Sequence, residues 1–516
     1  LKTINNIEQY NEFIETIDLE NNEKIDENKL NRKLYIYFDA FEKYVISRFY
    51  PRVLFALGIR AKIGGTIYQV NYGLRDEEEE FETLFNKLNI KNYTIKSSIF
   101  IKGIAIFKAI FLIIRHLPLE KLLKYKVKGV EIGIAMCDQL IRAREELDTI
   151  DRLKWNMLRE VFGTIRLALT IDKQFKKNPP MYYLTQEVGY NYKVVIDFVG
   201  KYGGKVAQIE AGGIIDEWVA PDNRPYYADA PVKRRIIKGV CEADKFDFIS
   251  IINNYYVNRR NGTSLQKSMD ERLAYSLKKN ISKEVWLEKN HIDKAKKNVC
   301  IMCHCMSDNP LTCESGLYMD YYHWLIDTLR IISKIKNVNW ILKAHPSRKL
   351  YGEGDRIFNI FQQYGKSDNI YILDDSINSN LVFDLADVIV TVRGTAGLEY
   401  SSAGIPVIVA GKGFYDGFGF TIEPKSVKEY ELVLKDCDKI QPLTNEQIVM
   451  AKKVSWACYC FCKTFDDTDF VLTNAIRTDF PHIGQNDIIF SKLIELYNKG
   501  ITYKDSYFYK AGYHSV

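Results

Sequence analysis

Over residues 299–410 the chain alternates short apolar, β-rich runs with stretches of helical spacing, and this alternation restricts the fold more than any other feature. Residues 299–305 predict a strand, 317–335 a long helix, 338–343 a strand ending in Ala344-His345-Pro346, and 369–373 another strand. Residues 381–386 predict a short helix and 387–392 a strand. A glycine-rich turn at 393–397 then opens a helix at 398–403, which Gly404 stops before a strand at 406–410. Strand–helix–strand repeats with right-handed crossovers predict a doubly wound, mostly parallel sheet. Such sheets bind ligands beyond the carboxyl ends of their strands. His304, His345, Arg393 and Gly411 all fall at those ends.

The first half repeats the pattern more loosely. Strands are expected at 53–57, 66–72, 130–136, 182–185 and 205–209, with helical spacing over 190–202. With 516 residues the chain can hold two or three cores, and 47% hydrophobic against 27% charged residues makes it globular rather than disordered. The expected class is therefore α/β, with two Rossmann-like domains facing across a cleft. A polar leader covers 1–30, the first α/β domain with a helical connector 31–295, the second 296–440, and a helical tail packing back on the cleft 441–516.

Several functions are disfavoured. The leader has no secretory h-region, which predicts a cytoplasmic location. Ten cysteines in so long a chain read as reduced thiols and not as a disulfide framework. Cys300, Cys303 and Cys305 flank His304, but neighbours on a buried strand point to opposite faces, so no metal is expected there; Cys458, Cys460 and Cys462 read the same way. A formal charge of +6 is mild for this length and calls for no nucleic acid. Residues 103–117 form the most apolar run, broken by Lys108 and Arg115. The run is too short to span a bilayer comfortably, so it is a buried helix or, alternatively, an interfacial one in peripheral contact with the inner face of the cell membrane.

The turn Arg393-Gly394-Thr395-Ala396-Gly397 joins a strand end to a helix start, where free N–H groups and the positive dipole end suit a phosphate. Its glycines allow close approach and Thr395 adds a hydroxyl; an ordinary tight turn is the alternative. The turn is neither of the glycine patterns typical of ATP or NAD sites, so neither cofactor is indicated. His345 can donate to a phosphate or base, with Pro346 fixing the exit of the chain. Glu399 could bind ribose hydroxyls or serve the helix dipole. Ser307 and Asp308 would face the cleft, while Lys343 and Arg348 read as a solvated rim. The loop 412–420, with three glycines and four aromatics, can bend over a sugar or base. In the first half Asp138, Glu187, Glu210 and Asp216 lie near predicted strand ends and could supply a catalytic carboxylate. The acidic run at 76–80 reads as a solvated helix start.

Residues 343–346, 386–400 and 404–409 together resemble the capsule and lipopolysaccharide polysaccharide biosynthesis glycosyltransferases, a group that includes the retaining β-Kdo transferases. Residues 129–142 are also similar to an IGD-x-x-YD-x-x-LR stretch of related surface-carbohydrate proteins; Asp138 and Arg142 match it, while the first Asp of the pattern is absent, with Ala135 nearby. The resemblance implies the metal-independent GT-B arrangement without a separate cofactor. It also implies a CMP-linked nucleotide-sugar donor on the second domain, with His345 and Thr395 at its phosphate, and a glycan or lipid-linked glycan acceptor at the first. A CDP-polyol phosphotransferase of the teichoic-acid type would also carry a His-Pro element. Such enzymes usually add a first-half His-Gly turn, and here His116 is the sole histidine before residue 291. A sugar-nucleotide epimerase and a non-catalytic nucleotide- or glycan-binding scaffold are the remaining alternatives.

Overall fold

The computed structural model describes residues 34–39, 64–71, 88–94, 96–185, 187–210, 213–219, 248–262, 278–312 and 316–461, with shorter pieces within 52–60, at 85–86 and at 272–276. The leader, the acidic run at 76–80, Cys462 and the segment beyond Lys499 lie outside them.

Two six-stranded sheets organise the chain. The first contains β1 (Tyr35–Asp39), β2 (Thr66–Asn71), β3 (Ile90–Thr94), β6 (Pro180–Thr185), β7 (Lys205–Glu210) and β8 (Gly213–Val219), in the order β3-β2-β1-β6-β7-β8. A small antiparallel pair, β4 (Lys126–Val127) and β5 (Val130–Glu131), lies apart from it. The second sheet contains β9 (Asn298–Met302), β10 (Asn339–Lys343), β11 (Ile370–Leu373), β12 (Val388–Thr391), β13 (Val407–Val409) and β14 (Thr421–Ile422), in the order β11-β10-β9-β12-β13-β14. Each sheet starts at its centre, grows outward, then crosses back beside the starting strand, which is the doubly wound order. All pairings are parallel except β7–β8 in the first sheet. The chain thus has the expected α/β architecture with two Rossmann-like sheets.

The strands of the second sheet are apolar on both faces because both are covered. One face packs Ile341, Ile389 and Val407 against Leu381, Leu398 and Trp286, and the other packs Trp340, Leu342 and Val390 against Trp324, Leu329 and Ile360. Helix Asn445–Trp456 closes the first of these faces, with Ser455 Oγ 3.0 Å from Ser402 Oγ and accepting from Tyr256 Oη at 2.8 Å.

Three expectations change. Around 53–57 the described residues are helical, not extended. The strand expected at 130–136 stops at Glu131, and helix Gly133–Ala143 follows. A Cβ on Gly133 would lie 2.0 Å from Leu122 O, so the chain can turn there only without a side chain. Finally, β9 ends at Met302, leaving Cys303–Cys305 in the following loop.

Candidate active site

The two switch points, where each sheet reverses its winding, lie between β1 and β6 and between β9 and β12. The loops leaving β6 and β9 meet. Tyr190 Oη donates to Ser307 O at 2.8 Å, and Asn309 Nδ2 donates to Glu187 Oε1 at 3.4 Å. A Cβ on Gly189 would stand 1.7 Å from Asn309 Oδ1, so glycine is required for this approach.

On the second sheet, β9, β12 and helix Tyr321–Ile332 converge on one cluster. The His304 ring stacks on Tyr321, centroids 4.5 Å apart. His304 Nε2 lies 3.3 Å from Thr391 Oγ1 and accepts the Arg393 N–H at 3.4 Å. Burial, and then Arg393 and His345, hold the His304 pKa well below the usual histidine value, so the ring is neutral and its proton sits on Nδ1. Arg393 Nε donates to Tyr321 Oη at 3.0 Å. His345 Nδ1 accepts from Ser347 N at 3.2 Å and lies 3.2 Å from Cys305 Sγ, which leaves Nε2 as its N–H. The His304 ring, the His345 N–H and the Arg393 guanidinium gather at one strand edge, where the guanidinium can hold an anion.

The glycine turn rests on an aromatic floor. Tyr415 Oη donates to Gly394 O at 2.8 Å, and a Cβ on Gly397 would lie 2.1 Å from Tyr415 Oη. Thr395 is exposed at the mouth, and Ala396 starts a helix of only seven residues, Ala396–Ser402. Pro346 is partly buried beside His345.

Glu187 is the carboxylate on the opposite wall. Its Oε1 accepts from Val188 N and Gly189 N, both at 2.9 Å. Among the described residues Oε2 has no hydrogen bond. Burial, reinforced by Asp308, outweighs these donors and raises its pKa to about 7.

Other expected site residues have different partners. Asp138 is fully buried, and its two oxygens accept Leu311 N at 3.0 Å and Thr312 N at 2.8 Å, so it straps the halves together. Arg142, one turn later on the same helix, places its guanidinium 4.1 Å from the centre of the Tyr351 ring. Ser307 donates through both N and Oγ to Glu353 Oε1, at 2.8 and 2.9 Å, and is buried. Glu399 does not cap its helix towards solvent. It is buried, paired with Arg259 at 3.0 Å and accepting from Tyr275 Oη at 3.2 Å, which uses both oxygens. Glu210 closes β7 opposite Gly213, and Asp216 of β8 pairs with Gln208 of β7; their side chains lie outside the described ones. The rim expectation fails for Lys343 and Arg348, which are 2% and 4% exposed, Arg348 being bound to Asp375 through Nε at 3.0 Å. Tyr415 and Phe420 of the aromatic loop are buried, with Phe414 and Phe418 packed on the same core, so this loop faces inward. Sequence reasoning missed Tyr321 and Asn309, which belong to no motif and join the site only by packing, and gave no role to Thr391, which lies within the resembling stretch 386–400.

Among the described residues no group of three or more metal-ligating side chains gathers, and no helix is long and apolar enough to cross a membrane.

Residues 260–439 match the capsule polysaccharide biosynthesis protein family. The matched stretch carries β9–β14 with His304, Tyr321, His345 and Arg393; Glu187 and the first sheet lie outside it. No curated protein matches the chain. Among solved structures, the KpsC β-Kdo 2,4 transferase of Thermosulfurimonas dismutans is 13% identical, covering 53% of this chain and 79% of its own, with a TM-score of 0.35. The KpsC β-Kdo 2,7 transferase of the same organism is 17% identical, covering 56% and 89%, with a TM-score of 0.28. The UDP-GlcNAc 2-epimerase of Neisseria meningitidis bound to UDP-GlcNAc is 11% identical, covering 86% and 99%, with a TM-score of 0.25.

Proposed function

We propose that this chain is a metal-independent glycosyltransferase of capsule assembly, moving an acidic sugar of the Kdo kind from a CMP-linked donor to a glycan or lipid-linked glycan. The observation that carries the reading is the meeting of two switch points. His304, Tyr321, His345 and Arg393 stand on one, and Glu187, raised to a pKa of about 7, stands on the other. The capsule family match over residues 260–439 supports the class of product. In this reading the donor phosphate lies against Arg393, the His345 N–H and the Thr395 hydroxyl, with Gly394, Ala396 and Gly397 letting it approach. An acceptor hydroxyl gives its proton to Glu187 as its oxygen bonds the anomeric carbon. The bond from that carbon to the phosphate breaks, and the charge growing on the leaving nucleotide meets the cationic wall. The chemistry belongs to the cytoplasm, where activated nucleotides are made.

The test is thermal stabilisation of the full chain by CMP, CDP, UDP, GDP and ADP. A ligand at 100 times its Kd adds about 2.7 kcal/mol. A shift with CMP, followed by CMP release from CMP-Kdo in the presence of acceptor glycan, supports the proposal. A shift with UDP or GDP alone removes the CMP donor but keeps glycosyl transfer. No shift with any nucleotide overturns the donor site.

A further inference from the structure

Helix Ile99–Ile114 is apolar on two opposite sides, and a single buried face explains one of them. Ile101, Ala105, Ala109, Leu112 and Ile113 are buried, facing the core shared with helix Leu158–Lys177. Phe100, Phe107, Phe111 and Ile114 recur at helical spacing on the other side and are 73%, 70%, 51% and 55% exposed. Gly103, in the gap of that stripe, is exposed as well, and the Phe107 and Phe111 rings stack with centroids 6.4 Å apart. A helix end adds Ile99 at 89% exposure. Large aromatics in one contiguous exposed stripe mark a contact surface, since scattered surface apolars do not line up in this way.

The charges around the stripe indicate what covers it. Lys96, Lys102, Lys108, Arg115, Lys121 and Lys124 lie on or beside the helix, and no acidic residue occurs from 95 to 119. Lys108 and Arg115, seven residues apart, run along one border of the stripe. The helix has 16 residues, about 24 Å at 1.5 Å per residue. That is short of the roughly 30 Å of a hydrocarbon core, and the far side is occupied by protein. Apolar rings rimmed by cations on a helix that cannot span are the features of an element lying in the plane of an anionic lipid surface.

We infer that helix Ile99–Ile114 docks this protein on an anionic bilayer, inserting Phe100, Phe107 and Phe111 among the acyl chains with Lys102, Lys108 and Arg115 at the headgroups. The inference is independent of the donor chemistry. The helix is separate from the elements that build the switch-point cleft.

The experiment is flotation of the full chain with vesicles of phosphatidylcholine alone and of phosphatidylcholine with phosphatidylglycerol. The wild type is expected to float with the anionic vesicles, and raised salt should release most of it. Phe107→Glu/Phe111→Glu should bind at least tenfold more weakly with an unchanged melting temperature. Lys108→Glu/Arg115→Glu should lose the preference for phosphatidylglycerol, which keeps the test decisive if the first variant folds poorly. Failure of the wild type to float, or equal flotation of both variants, overturns the inference. So does a wild-type dimer in light scattering that becomes monomeric in Phe107→Glu/Phe111→Glu, since a second copy would then cover the stripe.

Discussion

The His304 imidazole lies flat on the Tyr321 ring, with 8° between the planes, while the Tyr321 hydroxyl accepts the Arg393 Nε–H at 3.0 Å. One side chain therefore orients two groups of the proposed donor wall, His304 through its face and Arg393 through its hydroxyl. Tyr321→Phe keeps the stack and removes the acceptor. A hydrogen bond to a charged group is worth about 1.5–3 kcal/mol, so the melting temperature should fall, and nucleotide affinity should fall with it because Arg393 loses the group that orients it. Calorimetric titration with the nucleotide found by thermal shift measures it. An unaltered Kd would detach Arg393 from the ligand.

Glu187 is expected to be a base. Because burial raises its pKa to about 7, the competent carboxylate accumulates only as pH passes that value. The rate kcat/KM should climb tenfold per pH unit below about 7 and level above it. Glu187→Gln should lower kcat by about 10²–10⁴ while leaving nucleotide affinity in place. The stability sign is opposite to that of an ordinary ion-paired carboxylate. The folded state holds this proton more tightly than the unfolded one, so the group's contribution falls as pH rises from about 4.5 to 7 and is constant beyond. A pH-independent rate, or an active Glu187→Gln, would remove Glu187 from the chemistry.

Asp138 should matter for stability first. Asp138→Ala leaves the Leu311 and Thr312 N–H groups buried without an acceptor. Each costs roughly 1–3 kcal/mol, so the melting temperature should drop and the halves should separate more readily in proteolysis. Asp138→Asn, which can still accept from one N–H, should fall between. Normal stability with lost turnover would return Asp138 to the catalytic candidates.

The second sheet was the most legible part of the chain because β10 and β12 are buried on both faces and read as unbroken apolar runs. The first sheet was harder. β3 (Ile90-Lys-Asn-Tyr-Thr94) is mostly polar, and the apolar run from Val130 has the same composition whether extended or helical, so the helix from Gly133 went unread. At the site, His345 and the Arg393–Gly397 turn were visible because strand ends and glycines leave local marks. The partners of Asp138, Ser307 and Glu399 were not legible for one shared reason. Each carboxylate or hydroxyl meets a partner far away in sequence, Thr312, Glu353 or Arg259, and composition carries no trace of a contact made by folding.

Lys343 gives the sharpest separation of stability from function. It ends β10 two residues before His345, is 2% exposed, and has its pKa pushed down to about 8 by burial and then by Lys278. Between about 8 and the ordinary lysine value the unfolded state binds the extra proton, so folding stability should rise with pH across that window. A buried ammonium is costly to the fold unless it serves something else. Lys343→Met should therefore be neutral or stabilising at pH 7 and should abolish the rise above pH 8. If the ammonium faces the donor's anionic groups, the same variant should weaken nucleotide binding. Denaturant melts from pH 7 to 10.5, paired with nucleotide titration, read both effects. An intact alkaline rise in Lys343→Met would mean that another group produces it, a destabilised variant would mean that the ammonium is satisfied within the fold, and an unchanged nucleotide affinity would mean that it has no part in holding a ligand.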